Sequence, residues 1–453
     1  MRYISRYIAM IGMAIRSLLS AGCIVSTFVA PPARAQDNSR LTVHGQLRAR
    51  VEALDGQFRP GAAGSDAVLL LQTDIAAEYR GAGWRIGGEL GDARGYFERR
   101  NSSISTKEVN AIEPVQAYIG ADLAKGLSAT AGRFTLALGN GRLVARNNFR
   151  NTTNAFTGAR LDWKRDDATA TVFWTMPQRR LPDNAADIRD NAVRFDKEGS
   201  AEQFFGGYVS LKSGQHDTLD LYALRLIERD AADFATRDRH LLTSGVRFER
   251  APSPARADAE IEAAWQTGST HRTSAPTDTD RVGVTAWFAH AEAGWTFAAP
   301  WRPRIALLFD YASGDSGKGR YGRFDSLFGA RVREFGPTSF YGPVGRSNLI
   351  SPAIRIEAVP EKAWDVVATA RLLRLDSATD SFANSGVRDR NGDAGRNAGA
   401  QLDGRVRYWL VPKRARLALG AAWLSKGRFL TSAANAPATG DTHYGYAEVT
   451  FSF

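Results

Sequence analysis

The segment Leu41–Leu54, LTVHGQLRARVEAL, places apolar or small residues at every second position (Leu41, Val43, Gly45, Leu47, Ala49, Val51, Ala53) and polar ones between them (Thr42, His44, Gln46, Arg48, Arg50, Glu52). A period of two marks a strand with one dry and one wet face. The pattern recurs along the chain near 67–80, 84–92, 113–122, 127–135, 156–164, 168–176, 203–212, 217–227, 240–250, 257–268, 283–297, 302–312, 347–358, 363–374, 400–410, 415–425 and 443–453. That is about eighteen strands, most of them long enough to cross a bilayer at a tilt.

The connections decide what the dry face meets. Short ones, such as GAG at 81–83, LAKG at 123–126, RDD at 165–167, SGQH at 213–216, APSPAR at 251–256, PEK near 360–362 and VPKR at 411–414, alternate with much longer loops. A soluble sandwich has no reason to gather its long loops at one end. A transmembrane barrel has short turns on the periplasmic side and long loops outside. The C-terminal YGYAEVTFSF fits a last strand of this kind, with Gly445, Ala447, Val449, Phe451 and Phe453 on one face and Tyr444, Tyr446, Glu448, Thr450 and Ser452 on the other. Trp84, Trp163, Trp295, Trp301, Trp364 and Trp409 all fall beside short turns, where indole rings favour the headgroup layer. A closed sheet satisfies every backbone group in hydrocarbon without an edge. The expected fold is therefore an all-β, antiparallel transmembrane barrel of the bacterial outer membrane. Its interior is too wide for wall side chains alone to fill, so a channel, open or plugged, is expected.

The N-terminus agrees with export. MRYISRYIAMIGMAIR carries three arginines and no acid, an apolar run follows, and Ala33-Arg34-Ala35 has the small-x-small form of a cleavage site. Residues 1–35 read as a signal peptide and 36–453 as one barrel domain. The weaker rival is lipid attachment at Cys23, where Ser20 stands in place of the leucine a lipobox prefers. Removal of residues 1–35 takes four arginines (Arg2, Arg6, Arg16, Arg34) and no acid from a chain of 453 residues and formal charge +11, leaving 418 residues and +7. Cys23 is the sole cysteine, so the mature chain has no disulfide and no thiolate metal site. The mean hydropathy of −0.31 resembles that of a water-soluble protein. That average does not count against a barrel, because only alternate strand residues face lipid.

The stretch Ala131–Trp163 resembles the alginate export family of outer-membrane porins. The resembling pieces are Gly132-Arg133, GNGRLV at 139–144 and the Phe-x-Gly-x-Arg-Leu at 156–161. PRIALLFDYASGD at 303–315, FDSLFG at 324–329, SNL at 347–349 and the end from AQLDGRVRYWL through KGRFL to YGYAEVTFSF extend the resemblance over most of 40–453. Phe134 departs from it, standing where the family pattern leads one to expect Gln. The resemblance implies a monomeric eighteen-stranded pore with an arginine-rich lumen, gating loops and an anionic polysaccharide as type substrate.

Alternation directs Arg48, Arg50, Arg85, Arg160, Arg247, Arg304, Arg355, Arg371, Arg405 and Arg407 inward; Arg133 joins them on the resemblance, because the alternation of 127–135 is ambiguous. Guanidinium forks suit uronate carboxylates. Acids also alternate inward, among them Glu52, Asp74, Glu78, Glu89, Asp162, Glu249, Glu262, Asp310, Glu357, Asp365 and Asp403, so each arginine either holds substrate or braces the wall across strands. Of the longest loops, 177–202 and 313–346, either is a candidate to fold inward. DRNGDAG at 389–395 lacks the glycine spacing and closing Glu of an EF-hand, and SGDSGKGR at 313–320 lacks the Ser or Thr and the helix of a phosphate loop. The six histidines make no nucleophile–base pair; His290 with Glu292 reads as ordinary wall polarity. The expectation is a passive, non-enzymatic channel for an anionic polysaccharide or oligosaccharide, with no cofactor and no metal. Expected partners are outer-membrane lipid, lipopolysaccharide and a periplasmic secretion or assembly factor, not nucleic acid. The alternatives are a general or nutrient-uptake porin without polysaccharide preference and, least favoured, an outer-membrane hydrolase.

Overall fold

Eighteen alternating segments pair in chain order in a computed structural model that describes residues 40–231 and 234–453. The signal-peptide and lipidation readings lie outside the described residues. The strands are β1 (Leu41–Asp55), β2 (Ser65–Arg80), β3 (Trp84–Tyr96), β4 (Asn110–Ala124), β5 (Leu127–Phe134), β6 (Phe156–Lys164), β7 (Ala168–Pro177), β8 (Glu202–Ser213) and β9 (Asp217–Glu228). They continue as β10 (His240–Arg250), β11 (Arg256–Thr270), β12 (Val282–Thr296), β13 (Arg304–Ala312), β14 (Leu349–Ala358), β15 (Trp364–Arg374), β16 (Asn397–Val411), β17 (Ala415–Lys426) and β18 (Thr442–Ser452). Each pairs antiparallel with its sequence neighbours, and β1 pairs with β18 from Gln46↔Ser452 to Asp55↔His443. One chain thus closes its own sheet and leaves no edge. Short turns at 81–83, 125–126, 165–167, 214–216, 251–255, 297–303, 359–363 and 412–414 share one end with the start of β1 and the end of β18; the longer loops share the other.

Burial along the strands is inside-out relative to a soluble protein. Leu307 is 65% exposed and Leu419 61%, whereas Arg50 is 1% exposed and Glu52 0%. The apolar rows face outward, as lipid requires, and the ionic rows face the lumen. Trp84, Trp163, Trp295, Trp301 and Trp364 are exposed near the short-turn end, while Trp409 lies beneath the Arg416 guanidinium, 5.5 Å from its ring centre. A second exposed set, Trp174, Trp265, Trp287 and Trp423, lies nearer the long loops. Trp287 and Trp295 are eight residues apart on β12, about 27 Å of strand and about 20 Å of height once tilted, close to the apolar band of a barrel. Three directly paired tyrosines lay their rings over lumen-facing glycines: Tyr118 over Gly87, Tyr222 over Gly245 and Tyr446 over Gly420. A Cβ on Gly245 would stand 2.3 Å from the Tyr222 ring, so the glycine is what lets the ring lie flat against the wall.

The lumen is not lined by polar residues throughout. Toward the long-loop end the inward positions of several strands turn apolar, as in Leu54, Phe156, Phe204, Leu224, Leu226 and Leu241, all buried. Loop side chains pack on them: Phe328 sits 5.2 Å from Phe156 and 4.9 Å from Phe204, and Tyr341 stacks 4.8 Å from Tyr444. A second core therefore fills the upper lumen.

Candidate functional site

Two of the loops that build that inner core are 135–155 between β5 and β6 and 313–348 between β13 and β14; the loops after β1, β15 and β17 add Phe58, Phe382 and Phe429. The first two meet in the lumen through a parallel bridge between Val144 and Phe328, with Ala145 N donating to Phe328 O (3.2 Å), Phe328 N to Leu143 O (3.0 Å) and Ala330 N to Gly141 O (2.8 Å). The turn that aims the first loop inward uses Gly139 (φ 53°) and Gly141 (φ 74°), a left-handed backbone that glycine takes without strain. Of the two candidates named from sequence, 313–346 is an inward loop; a further inward loop, 135–155, contains GNGRLV. The loop 178–201 instead docks on β4, where Asp196 N donates to Glu113 (2.8 Å) and Asp196 accepts from Asn110 Nδ2 and Leu181 N (both 2.9 Å).

Arg142, at the tip of the first loop, is fully buried among three carboxylates. Its Nη1 reaches Glu260 (2.5 Å) and Glu262 (2.7 Å) on β11, and its Nε reaches Glu334 (2.9 Å) in the short helix Val332–Phe335 of the second loop. Arg346 also pairs with Glu334 and donates to the Ala330 carbonyl (2.6 Å). Burial drives the Glu334 carboxyl upward, but Arg346 and Arg142 outweigh it and hold it at about 2. Arg142, Glu334, Arg346 and Glu260 were absent from the residues nominated by alternation, because three of the four lie in loops or a loop helix, where period two says nothing.

Ten of the eleven nominated arginines lie on the inward rows. Arg133, placed inward by the resemblance, does not, because it pairs with Ala117 and Thr157 on the row that alternates with the inward Phe134; each of the eleven has protein partners. Arg48 donates to the carbonyls of Asn148 (2.8 Å) and Arg150 (2.7 Å), and Arg50 to Glu448 (2.7 Å), Glu52 (3.1 Å) and Phe149 O (2.8 Å), so both clamp the 135–155 loop. Arg85 meets Thr130 (2.7 Å) and Glu78 (3.9 Å); Arg133 meets Glu113 (2.6 Å) and Glu198 (2.9 Å). Arg160 pairs with Asp162 (3.0 Å) and lies over Phe134, the departure from the family pattern, at 5.4 Å. Arg247 pairs with Asp220 (2.5 Å), Glu249 (2.6 Å) and Glu260 (2.6 Å), and Arg304 with Asp258, Glu292 (2.7 Å) and Glu357 (2.7 Å). Arg355 pairs with Glu292 (3.2 Å) and Arg371 with Asp310 (3.5 Å). Arg405 and Arg407 share Asp365, at 3.5 and 2.8 Å.

Below the inward loops, toward the short turns, lies a chamber of about 430 Å³. It is lined by Arg250, Arg304, Arg333, Arg355 and Arg405, by Glu249, Asp258, Glu260, Glu292, Glu357 and Asp403, and by the rings of Phe149 and Tyr446. Its guanidiniums and carboxylates are nearly balanced in number. Arg405 is the least committed of the nominated arginines here: its one carboxylate contact is to Asp365, which Arg407 already grips with Nε at 2.9 and 2.8 Å, and its own Nε is buried without a hydrogen-bond partner. Arg333 is half-exposed and reaches Glu260 at 3.3 Å. The chamber can hold a solute carrying both hydroxyls and a carboxylate. At the other end, the acidic turn 389–395 closes on itself, with Asp389 accepting from Asn391 N (3.1 Å) and Ala394 N (2.7 Å).

A family model described as alginate export matches residues 39–442. Among curated proteins none matches. Among solved structures, the Acinetobacter baumannii OccAB1 barrel is similar with a TM-score of 0.59 at 12% identity, over 92% of this chain and 97% of that one. Pseudomonas aeruginosa OccD3 (OpdP) is similar with a TM-score of 0.56 at 11% identity, over 92% and 91%. Pseudomonas aeruginosa OpdK, solved with vanillate, is similar with a TM-score of 0.57 at 10% identity, over 91% and 98%. At these identities the likeness is one of fold.

Proposed function

The chain belongs to the alginate export family and forms a porin-type barrel of the outer membrane, and from that premise we propose that it passes acidic saccharides through a lumen constricted by the 135–155 and 313–348 loops. The observation that carries the proposal is Arg405: a lumenal guanidinium at the chamber wall, sharing its only carboxylate with Arg407 and keeping an unpartnered Nε. A uronate carboxylate entering the chamber exchanges with Asp365 on Arg405 while Arg407 retains Asp365. Such exchange keeps the grip weak enough to release, as conduction requires. The faces of Phe149 and Tyr446 offer the apolar surface against which a sugar ring rests. The more deeply bound arginines, Arg50, Arg247 and Arg304, serve in this reading as braces that hold wall and loops in place. Passage is diffusive and without catalysis.

A second reading is uptake of small carboxylates without polysaccharide preference. The chamber volume favours it, since about 430 Å³ lies toward the small end of sites for single small molecules. The name of the similar OpdK structure includes vanillate, a small aromatic carboxylate. Planar-bilayer conductance with oligouronates, neutral oligosaccharides and monomeric aromatic acids separates the two. Block by oligouronates that deepens with chain length supports the saccharide reading. Block by monomeric acids alone, with no effect of oligouronates, replaces it with the uptake reading.

A further inference from the structure

We propose that the lumen wall holds a binding site for one borderline divalent transition-metal cation, such as zinc or nickel, formed by His290, Glu292 and Glu260. The register assembles it. Glu260 on β11 is paired directly with Glu292 on β12, and His290, two residues before Glu292 on the same face, is paired with Asp310 on β13. Donor atoms of Glu260, His290 and Glu292 all lie within 4.8 Å of one another, and all three residues are buried. The His290 Nδ1 stands 2.8 Å from the Asp310 carboxylate. A ring that donates Nδ1–H to this carboxylate presents its Nε2 lone pair to a metal, the arrangement by which carboxylates orient metal-binding histidines. The ring is 1% exposed, and Nε2 has no hydrogen-bond partner; it faces the Glu292 carboxylate at 3.9 Å.

Charge gives the second argument. Two carboxylates directly opposite each other in a sheet repel. The ion pairs that link this cluster to Arg142, Arg247, Arg304, Arg333, Arg346, Arg355 and Arg371 join nine carboxylates to those seven guanidiniums, a formal charge of −2 before His290 is counted. One divalent cation closes that balance. Imidazole with carboxylate oxygen suits zinc and nickel rather than calcium or magnesium. The arginines already on Glu260 and Glu292 compete for the same oxygens, so the affinity is moderate. The competing arrangement is an imidazolium bridging Asp310 and Glu292 with no metal.

The test uses the full mature barrel, folded in detergent micelles and stripped with chelator. Zinc is titrated calorimetrically and cobalt by visible absorption, with heat-dependent gel migration reporting the folded barrel. We expect one ion per chain, a cobalt spectrum of nitrogen–oxygen coordination, loss of binding by 100-fold or more in His290→Ala, and about 10–100-fold weakening in Asp310→Asn, as for other residues that orient a ligand. Should His290→Ala fail to fold, Glu292→Gln keeps the histidine and is expected to weaken binding at least 10-fold. A folded wild-type barrel that binds neither ion, or binding unchanged in the folded His290→Ala or Glu292→Gln variant, overturns the site and leaves the imidazolium bridge.

Discussion

Replacing Arg142 with methionine tests the constriction most sharply. The side chain is fully buried, with carboxylate oxygens of Glu260, Glu262 and Glu334 at 2.5, 2.7 and 2.9 Å. At an effective dielectric of about 20, each charge pair with centres about 4 Å apart contributes about 4 kcal/mol gross. Desolvation offsets most of that sum, and removing one partner of a buried pair costs about 3–5 kcal/mol because the other charge stays buried. The strand ladders do not run through Arg142, so the cost falls on docking of the 135–155 loop rather than on closure of the sheet. At 1.4 kcal/mol per decade, about 3–5 kcal/mol shifts the docked-to-undocked ratio by about 100-fold to 3,000-fold. Arg346 still holds Glu334, and Arg48 and Arg50 still hold the loop backbone, so partial undocking is the expected state. Single-channel recording should show Arg142→Met channels with higher mean conductance and frequent large openings, while gel migration of the folded barrel stays as in the parent. Adding Glu262→Gln neutralises the acid that loses its guanidinium, since Glu262 is left with the Tyr222 hydroxyl alone, and should recover part of the closed behaviour. A folded Arg142→Met channel with unchanged conductance and noise would refute the idea that this arginine latches the loops.

Further expectations follow from individual contacts. Arg405→Gln should weaken block by oligouronates about tenfold, the scale of one charged hydrogen bond, while Arg247→Gln should lower barrel stability more than it alters block; the reverse ranking in bilayer and urea-melting experiments would exchange their roles. Burial, reinforced by Glu113, raises the Asp196 carboxyl to about 7, so the protonated form favours the docked 178–201 loop: docking is strongest below about 4 and weakens as pH rises through 7. Hydrogen exchange at Leu181 and Asp196 should therefore quicken, after correction for intrinsic rate, between pH 6 and 8 on the scale of that titration. Slower corrected exchange at the higher pH contradicts the assignment. Gly245→Val should push the Tyr222 ring off the wall and away from Glu262, destabilising the barrel by about 1–3 kcal/mol in urea unfolding, and Tyr222→Ala combined with it should restore part of the loss.

Alternation made the wall legible in the sequence. Each of the eighteen anticipated segments is a strand, with ends within a few residues of those expected, because a lipid-facing row and a lumen-facing row force a period of two on any chain that crosses as a strand. The same rule placed Arg48, Arg50 and Arg247 inward. It could not say what they grip: Glu448 is 398 residues from Arg50 and meets it only because β1 closes on β18. The inward loops were harder, since loops have no period. A signal was nonetheless present in DLYALRLIE, where the inward Leu224 and Leu226 turn the wet face dry toward the long-loop end. Apolar residues facing a lumen need something apolar to cover them, and the loops that reach inward supply it. His290 with Glu292 read as wall polarity because the third and fourth members, Glu260 and Asp310, come from neighbouring strands whose register the sequence does not fix.

The most direct measurement is single-cysteine labelling along β16, in a chain whose sole cysteine, Cys23, is replaced by serine. Cysteines at Arg405 and Arg407, on the lumen face, should react with a water-soluble, membrane-impermeant thiol reagent in liposomes. Cysteines at Leu402 and Val406, on the outer face, should react only with a lipid-soluble one. Labelling that ignores this alternation, or reverses it, contradicts a barrel with its apolar rows in lipid and its arginines around an aqueous path.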